Sequence, residues 1–290
     1  MNAKSLIIFM VILIGLIFNQ GHEFSYLIKY LLMAMLFFPF LTISPPKDGK
    51  VYWHVLAQFA AMALLSLTVY WMLVNWDHQL STIAFLLAFT PTATAAPVVI
   101  RLLRKNVEYV VLAVVVTNLF VALLLPFVLS IINPGEVNIV FAGMLFSTFM
   151  VVFLPLVLAQ LVKFYFRELA NKLVLMNQLP FLIWMAVLYL ATSKASAYLF
   201  GHATSFRLFG EIALVSLVMC GFNFLLGRYL GGKRYAVEAS QALGQKNTLF
   251  MAWVALEYVS HYAALGPVCY LVFQNIYNSI LLNQRNNHVN

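Results

Sequence analysis

Two interrupted apolar segments decide the fold of this chain. The first contains the sequence PTATAAP at residues 91–97, and the second contains GQKNT at residues 244–248. The two prolines of the first stretch remove hydrogen bonds of a helix, and the second stretch is a polar run inside an otherwise apolar segment. At membrane depth, unpaired backbone groups are tolerated only where protein or a water-filled cavity satisfies them. The sequence therefore predicts two broken helices whose inner ends lie inside the protein.

The rest of the sequence is too apolar for a soluble protein. Of 290 residues, 63% are hydrophobic and 9% are charged, whereas about 25% are charged in ordinary soluble domains. We therefore expect an integral membrane protein, and we exclude nucleic-acid binding and soluble catalysis. Cys220 and Cys269 both lie in apolar segments, which excludes a disulfide scaffold. No catalytic or metal-binding arrangement lies in the apolar segments, so we expect no enzyme, cofactor or metal site.

Ten apolar segments account for most of the chain, and a spanning helix needs about 20 such residues. They occupy residues 5–20, 25–43, 51–75, 79–104, 107–133, 138–162, 179–199, 207–229, 236–261 and 263–283. The first segment resembles a signal peptide but lacks a small-residue cleavage site, so we interpret it as a span. The basic stretch 163–178 is typical of an interfacial helix or loop. The predicted fold class is an all-α polytopic membrane protein with ten transmembrane helices.

The basic residues indicate the orientation of these helices. Most of the 17 Lys and Arg residues fall on one side, and Lys29, Lys194 and Arg207 fall on the other. The positive-inside rule then predicts that both termini are cytoplasmic. We interpret each basic cluster as this topology signal rather than as a lipid or ligand site. The short tails and compact loops favour a bacterial inner membrane.

The two interruptions occupy equivalent places in the two halves of the chain. The fourth segment of the first five is broken, and so is the fourth of the second five. Because five is odd, two such units must have inverted topology. We predict one repeat at residues 1–135 and a second at 136–290. Matched broken segments in inverted halves indicate the binding site of a transporter.

Each break gives one helix end with free carbonyl groups and one with free N–H groups. This arrangement suits an anionic or polar substrate together with a cation. Thr94 and Asn247 are suitable N-caps for the second half-helices, and Pro97 suits a first helical turn. We assign Pro91, Pro97 and Gly244 a structural role at the crossing.

Lys246 is the most unusual residue of the chain, because a lysine at the bilayer centre costs roughly 2.5–3.5 kcal/mol. Four roles stay open. It can be a tethered cation at the carbonyl ends of the half-helices, or it can bind the substrate's carboxylate. It can also release a proton during transport, or it can only stabilise the break. Among other polar residues, Gln58, Asn118 and Gln274 are predicted to give polar support between helices.

The order of these motifs resembles that of the bile acid:sodium symporter family. The sequence PTATAAPVVIRLLRKN at residues 91–106 is similar to the crossover motif of that family's fourth helix, and GQKNT resembles its ninth-helix GMQNS. VLAQFA at 55–60 is similar to its third helix, and QNI at 274–276 resembles the HNI of its tenth. The resemblance implies a panel domain and a core domain, with broken helices 4 and 9 crossing in the core.

The resemblance also implies which residues bind substrate. Thr94, Asn247 and Asn275 match positions where the family binds substrate, and we add Lys246 and Thr248 of the GQKNT motif. The family's sodium ligands, in contrast, are replaced here by side chains that offer no oxygen, except at Gln58. The replaced positions are Ala96, Pro97, Val110, Val114, Ala242 and Lys246.

We therefore expect a secondary transporter that moves a small organic anion by alternating access. Sodium is not expected as a partner, and we expect transport to be coupled to protons or to no ion. In this respect the chain would be closer to the related auxin-efflux carriers, which do not use sodium. The alternatives are a sodium-coupled bile-acid-type symporter with relocated ion sites and a transport-inactive membrane receptor. Arsenite export is less favoured, because the cysteine of that family's broken helix is missing. The sequence leaves the substrate, the direction and the oligomeric state open.

Overall fold

A computed structural model describes residues 3–43, 48–132, 141–176, 178–201 and 206–287. These residues form thirteen α-helices and one short 3-10 helix at Asn19–Phe24. The α-helices are α1 (Ala3–Ile17), α2 (Leu27–Leu41), α3 (Lys50–Leu73), α4 (His78–Phe89), α5 (Ala96–Leu102), α6 (Val107–Ile132), α7 (Phe141–Tyr165), α8 (Arg167–Leu175), α9 (Gln178–Gly201), α10 (Phe206–Leu230), α11 (Gly232–Gly244), α12 (Thr248–Tyr258) and α13 (His261–Asn287).

The helices follow the predicted apolar segments. The fourth segment forms two helices, α4 and α5, and the ninth forms α11 and α12, so both predicted interruptions are present. In the described ranges, six helices are long and apolar enough to cross a membrane, namely α3, α6, α7, α9, α10 and α13. The predicted interfacial stretch contains α8, although α7 extends to Tyr165. The chain is thus an all-helical, polytopic membrane protein.

Exposed aromatic residues agree with a lipid-facing surface. Trp53, Trp71 and Trp76 are 76%, 68% and 86% exposed. Trp53 and Trp71 lie at opposite ends of α3, roughly 27 Å apart at the rise of an α-helix, which is close to the thickness of a bilayer's hydrocarbon core. Tryptophan is enriched at the two membrane–water boundaries, so α3 has the length and the end residues of a spanning helix.

The helices pack as two groups. In the smaller group, α2 contacts α7 and α9, and α1 contacts α9. In the larger group, α3 packs on α4 and α6, α10 packs on α11 and α13, and α12 packs on α13. The groups meet where α6 contacts α7 and α9 contacts α12 and α13. Both broken segments therefore belong to the larger group.

Local sequence explains where the broken helices end. Asp77 caps the start of α4, because its carboxylate accepts a hydrogen bond from the Leu80 N–H at 2.8 Å. At the other end, Thr90 precedes a proline, and such residues avoid the helical conformation. Thr90 indeed has φ −57° and ψ 132°, so α4 stops at Phe89, deep inside the protein.

The connection before α3 is tied to the start of α11. The Asp48 carboxylate accepts hydrogen bonds from the Lys50 N–H at 2.9 Å, the Tyr235 hydroxyl at 3.1 Å and the Arg234 guanidinium at 2.7 Å. The Lys50 N–H above all, and then Tyr235 and Arg234, hold the pKa of Asp48 below its usual value. This cluster joins the two halves of the chain at one end of the larger group.

Gly244 permits the tight packing at the end of α11. A Cβ at this position would lie 2.2 Å from the ring of Phe224, and that ring is held by stacking on Tyr277 at 4.0 Å between centroids. A substitution must therefore displace two aromatic rings.

Gly244→Ala should destabilise the protein by about 1–3 kcal/mol, which is the usual cost of overpacking a core. Thermal unfolding of the detergent-purified protein measures the effect as a lower melting temperature. The control is Gly221→Ala on α10, where a Cβ meets nothing within 4 Å, and it should melt like the wild type. Equal melting temperatures for both variants would contradict the packing at Gly244.

Candidate functional site

The two breaks pair with each other in the interior of the larger group. The Ala93 N–H donates to the Gln245 carbonyl and the Asn247 N–H donates to the Pro91 carbonyl, both at 2.8 Å. Thr92 and Lys246 thereby form an antiparallel β-bridge. Two chain segments that lack helical hydrogen bonds thus satisfy part of each other's backbone.

The next helix in each half satisfies the central residue of each break. In the first half, the Thr92 N–H donates to the Thr117 hydroxyl at 2.9 Å, and the Asn118 amide donates to the Thr92 carbonyl at 2.9 Å. In the second half, the Gln274 amide accepts from the Lys246 N–H at 2.9 Å and donates to the Lys246 carbonyl at 3.4 Å. The two breaks are therefore supported in the same manner by α6 and α13.

Asn118 connects the two breaks directly. Its amide nitrogen donates to the Thr92 carbonyl and to Val114 of its own helix, and its oxygen accepts from the Asn247 side chain at 3.1 Å. The Asn247 oxygen in turn accepts from the Phe250 N–H and caps α12. The predicted N-cap at Asn247 is confirmed, and Asn118 gives the polar support that the sequence predicts.

The Lys246 ammonium lies at the carbonyl end of α4. Its Nζ donates to the carbonyl oxygens of Ala88 and Thr90, each at 2.8 Å. The residue is 1% exposed, and no ion pair within the described ranges includes it. The carbonyl end of a helix carries a partial negative charge, so a cation is stabilised there.

This geometry distinguishes among the roles that the sequence leaves open for Lys246. The ammonium faces a helix end that repels a carboxylate, which disfavours direct binding of an anionic substrate. The Lys246 ammonium contacts two carbonyl oxygens, as a bound metal cation would. Unlike a metal cation, it is covalently attached to the chain. The arrangement favours a tethered cation that also stabilises the break.

Buried apolar side chains occupy four of the positions at which the family resemblance places sodium ligands. Ala96, Val110 and Ala242 are buried and belong to one apolar cluster, which also contains Ala113 and Ala239. Val114 is buried in the larger apolar core. These four side chains themselves offer no oxygen to a cation.

Thr94 does not cap α5, so that prediction is wrong. The residue that precedes α5 is Ala95, and it makes no side-chain capping bond. The Ala96 N–H already bonds to the Ala93 carbonyl at 3.0 Å, and Pro97 has no N–H to satisfy. Pro97 does occupy the first turn, as predicted. The Thr94 side chain is half-buried next to the break.

The other predicted residues, Thr248, Asn275 and Gln58, occupy different environments. Thr248 begins α12 and is buried beside Asn247. Asn275 is half-buried, and its amide donates to Leu271 of its own helix at 2.8 Å, so the structure does not bring it into the hydrogen bonds of the breaks. Gln58 bridges two helices, because it donates to the Ala239 carbonyl at 2.7 Å and accepts from the Tyr109 hydroxyl at 2.9 Å.

Sequence reasoning missed several residues around the second break. The Tyr270 hydroxyl donates to the Gly244 carbonyl at 2.8 Å, and Tyr270 precedes Gln274 by one helical turn, which is the signal that could have found it. Three buried oxygens of the described chain have no hydrogen-bond donor, on Asn223, Gln241 and Gln245. Buried acceptors without donors are uncommon in native proteins.

Comparison with known proteins does not add a family assignment. No protein-family model matches the chain, and no curated protein matches it.

Asn118→Ala should lower stability strongly, because it leaves the Thr92 carbonyl and the Asn247 amide without partners. Each unsatisfied buried group costs about 1–3 kcal/mol. The matched control is Ser130→Ala on the same helix, whose hydroxyl donates to the Pro126 carbonyl of α6. Thermal unfolding in detergent compares the two variants. A melting temperature for Asn118→Ala equal to that of the control would contradict the linking role of Asn118.

Proposed function

We propose that this protein is a secondary transporter that moves a small organic anion by alternating access without sodium. The observation that carries the proposal is the Lys246 ammonium on the Ala88 and Thr90 carbonyls. Lys246 replaces a coupling cation at the crossing of two broken helices. The transporter lies in a bacterial inner membrane with both termini in the cytoplasm, as the distribution of Lys and Arg favours.

The proposed architecture has ten spans in two inverted repeats, residues 1–135 and 136–290. The equivalent support of Thr92 by α6 and of Lys246 by α13 favours this arrangement. The smaller helix group corresponds to a panel, and the larger group, with both breaks, corresponds to a core. This layout agrees with the resemblance to the bile acid:sodium symporter family.

In the proposed mechanism, the anion binds near the starts of α5 and α12, where free N–H groups give a partial positive charge. Thr94, Asn247, Thr248 and Asn275 contribute polar contacts. Lys246 neutralises the partial negative charge at the carbonyl end of α4, which would otherwise remain uncompensated at the crossing. The core then slides against the panel and exposes the anion on alternate sides. Coupling is to protons or to no ion.

One observation favours the alternative of a sodium symporter with a relocated ion site. The side-chain oxygens of Gln241, on α11, and Gln245, just after the end of α11, are buried without donors. Oxygen ligands suit hard cations. A comparison of sodium chloride with choline chloride in the transport experiment therefore separates the two functions.

Lys246→Met should lower the melting temperature, since the neutral side chain leaves the Ala88 and Thr90 carbonyls unpaired, at about 1–3 kcal/mol each. Lys172→Met on the exposed face of α8 is the control and should melt like the wild type. In Lys246→Ala, ethylammonium should raise the melting temperature again, because it can occupy the vacated position, and it should not affect the wild type. Absence of both effects would exclude the tethered cation.

The transport prediction uses proteoliposomes and a panel of radiolabelled short mono- and dicarboxylates. At least one anion should be taken up in choline chloride at the rate seen in sodium chloride, and Lys246→Met should abolish this uptake. Uptake that requires sodium, or a melting temperature that rises in sodium chloride, would favour the sodium symporter. If no anion is transported while Lys246→Met is still destabilised, the transport proposal fails and the structural role of the cation stands.

A further inference from the structure

An open groove of about 890 Å³ runs along the end of α7 and the start of α8. One wall is apolar and includes Leu156, Val157 and Leu161. Lys163 and Arg167 also line the groove, towards the start of α8, and none of the residues that line it is acidic. The groove therefore combines a hydrocarbon surface with two positive charges.

The two charges are available to a ligand. The Lys163 ammonium donates to the Ile43 carbonyl, which fixes its position but uses one of its three N–H groups. Arg167 is exposed, and it forms no ion pair with any residue that the structure describes. The Gln160 amide, also in the groove, donates to the Phe40 carbonyl at 2.8 Å. The hydrogen bonds to Phe40 of α2 and to Ile43, just after α2, thus fix the positions of Gln160 and Lys163 in the groove.

The groove has the right position for a lipid. α7 is apolar enough to span a membrane and carries Lys163 in its last turn, so the charges lie near a membrane–water boundary and the apolar wall extends into the hydrocarbon. α8 continues from this end, and it exposes Leu169, Val174 and Leu175 beside its polar residues. Amphipathic helices of this kind lie in the plane of the membrane surface.

We propose that the groove binds an anionic phospholipid, with the headgroup phosphate on Lys163 and Arg167 and an acyl chain along Leu161, Val157 and Leu156. Basic pockets between helices on the cytoplasmic side bind acidic headgroups. A zwitterionic lipid gains less, because its own positive charge meets the same two cations. The lipid would join α7 and α8 and, through α7, anchor the smaller helix group in the bilayer.

The proposal changes how these two basic residues are interpreted. The positive-inside bias explains why basic residues lie on one side of the membrane, but it requires no groove beside them. The apolar wall next to Lys163 and Arg167 adds a binding surface for the rest of a lipid molecule. Lys163 and Arg167 would then both orient the protein in the membrane and bind the lipid headgroup.

The test measures lipid binding to the full-length protein in detergent, by native mass spectrometry and by thermal unfolding. Phosphatidylglycerol should bind and raise the melting temperature, whereas phosphatidylcholine and inorganic phosphate should not. Lys163→Gln/Arg167→Gln should weaken phosphatidylglycerol binding roughly 25-fold, since each basic residue near the surface contributes a factor of about five. Lys163→Arg/Arg167→Lys should retain binding.

Two further variants control for charge and for folding. Arg228→Gln/Lys233→Gln removes two exposed charges outside the groove and should bind phosphatidylglycerol like the wild type. Leu161→Trp fills the groove at an exposed position and should weaken binding while both charges remain. Equal binding by all variants would overturn the proposal. So would equal effects of phosphatidylcholine, or stabilisation by inorganic phosphate as strong as that by phosphatidylglycerol.

Discussion

The structure depends on one constraint, which is that the backbone of two broken helices must be satisfied without water. A break in an α-helix frees N–H and C=O groups, and each such group costs several kcal/mol in a hydrocarbon environment. Here the two breaks satisfy each other through Ala93, Gln245, Pro91 and Asn247. Side chains of α6 and α13 then complete the central residues. Because neither break is satisfied alone, the two halves of the chain must fold together.

The position of Lys246 follows from the same constraint. The carbonyl end of α4 concentrates negative partial charge inside the protein, and hydrogen bonds from neutral groups do not neutralise it. An ammonium on the opposing break supplies both the charge and two hydrogen-bond donors. A cation that belongs to the chain cannot be released on either side of a membrane. In the proposed transporter, the driving force therefore comes from the substrate gradient or from protons, and a sodium gradient contributes nothing.

The sequence predicts the positions of both breaks, because proline, glycine and adjacent polar residues act locally. It also predicts the cap at Asn247, and for Lys246 it leaves four roles open, one of which is a tethered cation at a carbonyl end. It cannot predict which carbonyls receive the ammonium, since that depends on the register between two segments far apart in the chain. For the same reason, the sequence does not predict the roles of Thr92 and Thr117. Thr94 is misassigned because a turn at Ala93–Ala96 starts α5 without a side-chain cap.

In the proposed transporter, the contrast between two kinds of contact would let one helix group slide against the other. Inside the larger group, hydrogen bonds in fixed directions join α3, α6, α11 and α13 around the breaks. Between the groups, the shared core is apolar, and polar contacts include the Thr148–Ala122 hydrogen bond and the half-exposed pair Lys194–Glu257 at 3.9 Å. Apolar contact is non-directional, so sliding changes its energy little, whereas opening the crossing would expose several unsatisfied backbone groups. The larger group should therefore move as one body.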